Sequence, residues 1–128
     1  MNIVLWVLQV LLAIAFVMAG GSKLLMPIEQ LGVQMQWVLD VNPLLMVRLP
    51  GLAEVLGAIG LIVPAALRIQ PRLTGWAAAG LAVTMLLAAI FHITRGEFGL
   101  LVGPIILTLL SAFVAYGRLN LLPIEPRN

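Results

Sequence analysis

The chain has 128 residues, of which 62% are hydrophobic and 9% are charged, and its mean hydropathy is +1.15. A water-soluble domain of this length could not bury so much apolar surface, so we expect one integral membrane domain over residues 1–128. The net charge is only +2 and the basic residues are scattered, which argues against nucleic acid as a partner. The absence of cysteine excludes disulfides, a dithiol redox pair and cysteine metal sites.

The first apolar segment runs from Ile3 to Leu25, and its length fits the roughly 20 residues that a helix needs to cross a bilayer. A signal peptide is the alternative, but no basic residue precedes the apolar run. Helical spacing places several small, polar or aromatic side chains on one face, which we expect to face protein. They are Gln9, Ala13, Phe16, Gly20 and Lys23.

Residues 27–43 form an amphipathic segment. Its apolar stripe consists of Ile28, Leu31, Met35, Val38 and Leu39, and its polar side carries Glu29, Gln30, Gln34, Gln36 and Asp40. This pattern predicts a short helix at the membrane interface, with Trp37 as an anchor at headgroup level. An ordinary helix in an extramembrane loop is the alternative.

Three further apolar segments follow, so the sequence predicts an all-α bundle of four transmembrane helices at about residues 3–25, 49–67, 73–94 and 98–117. Pro50 suits the first turn of the second span. Pro104 either kinks the fourth span or lies in its first turns. The many small residues of spans two and three favour close helix packing and suggest a homodimer.

Glu54 is an ionisable residue inside the second apolar run, where a lipid-facing carboxylate would be unfavourable. Lys23 ends span one and His92 ends span three, so all three residues belong to one half of the bundle. We therefore predict a polar pocket with Lys23 as the main partner of Glu54, and we add Gln9 and Arg48 as further candidates. The alternative is that these groups only fix helix packing.

An even number of spans places both termini on one side of the membrane. That side carries Arg68, Arg72, Arg118 and Arg127, whereas the other side carries Lys23, Arg48 and Arg95. Because basic residues favour the cytoplasmic side, we expect cytoplasmic N and C termini and a pocket on the non-cytoplasmic side.

Several short motifs give the chain its likeness to a known family. They are residues 20–23 (Gly-Gly-Ser-Lys), 51–57 (Gly-Leu-Ala-Glu-Val-Leu-Gly), 61–64 (Leu-Ile-Val-Pro), 88–92 (Ala-Ala-Ile-Phe-His) and 117–118 (Gly-Arg). In order and spacing, the chain resembles the DoxX-like membrane proteins over nearly its whole length. The resemblance implies a four-helix bundle in a bacterial or archaeal cell membrane. It also implies either a link to thiosulfate oxidation with quinone or a role in assembling membrane proteins. Because the residues offer no electron carrier, a redox reaction would need one from a partner subunit.

The residues identify no reaction, but they limit the chemistry. A single histidine cannot ligate haem in pairs, and there is no nucleotide motif and no metal motif. A carboxylate, an amine and an imidazole in a membrane cavity suit a quinone headgroup or another small lipid-like ligand. Two alternatives stay open: a proton-coupled transporter of small molecules, and a scaffold or assembly factor without chemistry of its own.

Overall fold

The computed structural model describes residues 1–127, and over this range the chain is helical without any strand. Its α-helices are α1 (Asn2–Leu25), α2 (Ile28–Gln34), α3 (Leu49–Leu67), α4 (Arg72–Thr94) and α5 (Val102–Tyr116). Short 3-10 turns cover Gln36–Asp40 and Phe98–Leu100. Wider π-helical turns precede α3 at Leu44–Arg48 and follow α5 at Gly117–Leu121.

Four helical segments of residues 1–127 are long and apolar enough to cross a membrane: Asn2–Leu25, Leu44–Leu67, Arg72–Thr94 and Phe98–Leu121. The predicted bundle of four transmembrane helices is thus confirmed. The first and third spans lie close to the predicted ranges. The second span begins earlier than predicted and the fourth ends later, in both cases because a π-helical turn extends the helix.

The early start of the second span has a local cause at Asn42 and Pro43. The Asn42 Oδ1 atom accepts hydrogen bonds from the N–H groups of Leu44 and Leu45 at 3.0 and 3.1 Å, which caps the helix. Pro50, which has no N–H, lies in the first turn of α3, but it is the seventh residue of the span, so the prediction of a first-turn proline is right for α3 and wrong for the whole span. The wide turn before Pro50, in which the Leu49 N–H donates to the Leu44 carbonyl, joins this cap to α3.

The spans pack in chain order, since α1 contacts α3, α3 contacts α4, and α4 contacts α5. At the end that holds both termini, Leu5 of α1 packs against Gly117 and closes the bundle. Glycines in spans two and three make close contacts inside the chain: Gly57 faces Leu81 and Gly60 faces Ala77. The bundle itself uses these two glycines, so they give no reason to expect a homodimer.

The segment between the first two spans contains the predicted interfacial helix, in two pieces. Met35 has non-helical backbone angles (φ −132°, ψ 86°) between α2 and the 3-10 turn. Leu31 and Val38 are buried together with Val47, as the predicted stripe requires. Leu39 is 59% exposed, because the break at Met35 changes the helical phase of the residues that follow. Trp37 packs against Phe91 and His92, and Asp40 pairs with Arg95, so the segment contacts the end of α4.

Candidate functional site

Lys23 and Glu54 form a direct ion pair between α1 and α3. The Lys23 Nζ atom lies 2.6 Å from Glu54 Oε1, and the two side chains are 14% and 1% exposed. Glycine makes the approach possible: a Cβ atom at Gly20 would lie 2.6 Å from the Gly51 carbonyl oxygen and 2.9 Å from the Glu54 Cβ. The two backbones therefore touch where the carboxylate meets its partner. This is the pairing that the sequence predicted for Glu54.

Arg48 lies beside this ion pair but contacts the backbone of α1. Its Nη1 atom donates hydrogen bonds to the carbonyl oxygens of Lys23, at 2.5 Å, and Met26, at 2.8 Å. Carbonyl groups at the end of a helix lack partners within the helix and carry partial negative charge, so a guanidinium group is well suited to them. Arg48 thus holds the end of α1, and with it Lys23, against the second span.

One carboxylate oxygen of Glu54 receives no hydrogen bond from the described residues and remains free to accept one. Oε1 accepts from Lys23, whereas the buried Oε2 accepts no hydrogen bond from residues 1–127. Burying a polar atom without a partner is unfavourable by about 1–3 kcal/mol. Unpaired polar atoms of this kind often lie where a ligand or a proton binds.

His92 belongs to a second group of polar residues, the loop cluster, which also contains Asp40, Arg95 and Glu97. His92 Nδ1 lies 2.9 Å from Glu97 Oε1, and Arg95 Nε donates to the same oxygen at 3.1 Å. Arg95 Nη2 reaches Asp40 Oδ2 at 2.9 Å and so links the cluster to the segment after α2. The ring of Trp37 packs edge-on against the His92 ring.

Depth in the membrane separates His92 from the ion pair. Gly57 faces Leu81 and Gly60 faces Ala77, so α3 and α4 run antiparallel with a defined register. Extending that register places His92 about level with Met46. Met46 lies two turns of helix, or roughly 12 Å, from Glu54, toward the N-terminal end of the second span. The structure therefore brings Lys23, Glu54 and Arg48 together and places His92 in the loop cluster at the same end of the bundle.

Gln9 lies in a third group, near the chain termini. Its Nε2 atom donates to the Leu61 carbonyl at 2.8 Å, and its Oε1 atom accepts from Arg118 Nε at 2.7 Å. Gln9 precedes Lys23 by fourteen residues, or roughly 21 Å of helix, so it cannot line the same pocket. Arg118 entered the prediction of topology and belongs to a family motif, but it was not among the candidate site residues predicted from the sequence. The polar Gln9 on α1 indicated that some polar contact lies at this depth, but it did not identify Arg118 as the partner.

A family model described as "DoxX-like family" matches residues 7–114. The chain belongs to the DoxX-like family. In this DoxX-like protein the matched range includes Lys23, Glu54 and His92 and ends before Arg118. Among curated proteins and among solved structures, no significant match was found.

The loop cluster predicts that the stability of this DoxX-like protein depends on pH in the acid range. The hydrogen bond from His92, with a further contribution from Arg95, lowers the pKa of Glu97 below its ordinary value of 4.5. A lowered pKa stabilises the fold at pH values above 4.5, and this stabilisation is lost as the pH falls through the pKa of the folded state.

The variant Glu97→Gln tests this dependence. We expect a lower melting temperature than wild type at pH 7 and a difference that shrinks as the pH falls below about 4.5. Fluorescence of Trp37, in a protein with Trp6 and Trp76 replaced by phenylalanine, would follow the cluster directly. A difference in melting temperature that stays constant from pH 7 to pH 3 would contradict the assignment.

Proposed function

We propose that this DoxX-like protein binds a small lipid-like molecule with a polar headgroup, a quinone in the first place, at the Lys23–Glu54 ion pair. The observation that carries the proposal is the buried Glu54 Oε2 atom, which has no hydrogen-bond partner among residues 1–127 and lies beside an ammonium group. A quinol hydroxyl can donate to this oxygen. A quinone carbonyl can accept from Lys23, whose ammonium group has three donors, one of which Glu54 uses.

An apolar groove beside the ion pair supports this proposal. The groove has a volume of about 360 Å³ and runs between α1 and α3, with Ala13, Val17, Met18, Ala58 and Ile62 among its walls. Ala58 lies one helical turn from Glu54 on α3. Neither Lys23 nor Glu54 lines the groove, so a ligand with its tail there would extend about one helical turn beyond Ala58 for its polar end to reach the carboxylate.

In this proposal the protein binds the quinone, and a partner subunit in a membrane redox system supplies the electron carrier. The chain offers no cysteine and one histidine, so it has no residues for a dithiol centre or for paired histidine ligation of haem. Glu54 and Lys23 would then position the headgroup and exchange protons with it.

Titration with short-chain analogues of ubiquinone and menaquinone, in lipid nanodiscs, tests the proposal. Wild type should bind at least one analogue, and the double variant Lys23→Met/Glu54→Leu should bind it at least about tenfold more weakly, since charge-assisted hydrogen bonds are lost. Asp40→Asn is a matched control, because it removes an ion pair at the same end of the bundle but outside the site. Equal binding by wild type and the double variant would favour a scaffold, in which the ion pair only sets packing.

We also propose that both termini are cytoplasmic. Lys23 and Arg48 are engaged inside the bundle at one end and Arg118 is buried at the other, which leaves Arg95 against Arg68, Arg72 and Arg127 on the side of the termini. Because the chain has no cysteine, Gln70→Cys introduces a single thiol into the turn after α3. In intact cells, an impermeant maleimide should leave this thiol unlabelled and should label it after the cells are opened. Labelling of intact cells would reverse the orientation.

A further inference from the structure

A cleft of about 550 Å³ opens at the end of the bundle that holds both chain termini. The start of α1, the end of α3 and the segment after α5 form its walls. Its polar side chains come from Asn2, Arg68 and Arg118, and Trp6 supplies an aromatic wall. None of the side chains that line it is acidic. Such a cleft is electropositive and favours an anionic occupant.

Arg118 is a buried cation with an unused donor. It is 2% exposed, and its guanidinium carbon lies 5.6 Å from the centre of the Trp6 ring. Neutral groups hold it in place: Nε donates to Gln9 at 2.7 Å, and Nη1 donates to Asn2 at 2.7 Å and to the Leu122 carbonyl at 3.0 Å. The buried Nη2 atom has no acceptor among residues 1–127. A buried charge without a counter-ion is unfavourable, so an anion beside Arg118 would stabilise it.

Arg68 supplies a second cation to the same cleft and is held by the backbone. It ends α3 in the left-handed conformation, with φ 56°, which is uncommon for a residue other than glycine. Its Nε atom donates to the Glu125 carbonyl at 2.8 Å, and its own carbonyl accepts from the Arg127 N–H at 2.8 Å. These contacts hold the Arg68 backbone and side chain in place at the cleft.

We propose that this cleft binds a phosphate group, with Arg118 at its base and Arg68 at its rim. Arg118 offers its free Nη2 group and Arg68 the outer end of its guanidinium group, and charged N–H donors of this kind bind phosphate oxygens strongly. The cleft lies at the ends of the membrane spans, so the phosphate belongs either to the headgroup of an anionic phospholipid or to a soluble phosphate compound. This site is separate from the Lys23–Glu54 pair and does not depend on the proposed function.

Fluorescence of Trp6 gives a direct measurement, because this ring contacts Arg118. In a protein with Trp37 and Trp76 replaced by phenylalanine, short-chain phosphatidylglycerol, inorganic phosphate and a diacylglycerol with the same chains would be titrated separately. A saturable change with phosphatidylglycerol alone supports a lipid headgroup, and a change with inorganic phosphate as well supports a soluble phosphate. No change with either, or an equal change with diacylglycerol, would overturn the proposal.

Two arginine variants provide matched controls. Arg68→Asn removes a charge from the cleft while asparagine tolerates the left-handed conformation, and Arg72→Asn removes the same charge from the start of α4, outside the cleft. We expect Arg68→Asn to weaken binding about tenfold and Arg72→Asn to change it less than about twofold. Arg118→Lys should also weaken binding. If this variant does not fold, the comparison of Arg68→Asn with Arg72→Asn still tests the proposal. Equal losses for Arg68→Asn and Arg72→Asn would show a diffuse basic surface and contradict the cleft.

Discussion

Replacing Glu54 by glutamine is expected to destabilise the bundle by about 3 kcal/mol, because the change leaves Lys23 without its counter-ion at the contact of α1 and α3. Removing one partner of a buried ion pair typically has an effect of about 3–5 kcal/mol, and we expect the low end because the Lys23 side chain is 14% exposed. Far-UV circular dichroism in mixed detergent micelles, with increasing denaturing detergent, would measure the free energy of unfolding.

The double variant Lys23→Met/Glu54→Leu should recover most of the lost stability, to within about 1 kcal/mol of wild type, since well-packed apolar residues often replace a buried ion pair without loss. Asp40→Asn, which breaks a more exposed ion pair, should change stability by less than about 1 kcal/mol. If Glu54→Gln alone is as stable as wild type, then Lys23 is solvated without its partner and the ion pair does not hold the helices together.

The double variant also separates structure from function. If it folds well and no longer binds a quinone analogue, the ion pair acts on a ligand. If it folds well and binds like wild type, the ion pair serves packing alone. The single variant cannot make this distinction, because loss of binding could follow from loss of the fold.

The spans and the Lys23–Glu54 pairing could be predicted from the sequence because each depends on one strong physical effect. An apolar run of sufficient length must cross the bilayer, and a carboxylate within such a run needs a partner. Helical spacing placed Lys23 on the same face as Gly20, the side of α1 that meets α3. Few alternative partners for Glu54 remained at that depth.

The surroundings of His92 and Gln9 could not be predicted, because they depend on the geometry of turns and on the ends of the spans. Glu97 reaches His92 only because the chain turns back directly after α4, where Gly96 has a φ of 73°. Arg118 meets Gln9 only because a π-helical turn carries the last span to Leu121. Neither turn has a hydrophobic pattern from which it could be predicted.

The contact of α1 and α3 at Gly20 leads to a prediction about helix spacing. Gly20→Ala should destabilise the bundle by about 2 kcal/mol, a value typical of adding a methyl group to a closely packed site. The new Cβ atom would lie 2.6 Å from the Gly51 carbonyl oxygen, and a backbone atom cannot move aside as a flexible side chain can. The helices must then separate, which also draws Lys23 away from Glu54. The same unfolding measurement in mixed micelles gives the change in free energy.

Gly21→Ala is the matched control for this prediction. Gly21 is the next residue of α1, and a Cβ atom there would meet nothing within 4 Å. Both substitutions bring the same gain in helix propensity, up to about 1 kcal/mol, so the difference between them isolates the contact with α3. We expect Gly21→Ala to be as stable as wild type or more stable, and Gly20→Ala to bind a quinone analogue more weakly. Equal stability of the two variants would show that α1 and α3 can accommodate an additional methyl group at this depth. The close backbone contact would then not determine the position of the ion pair.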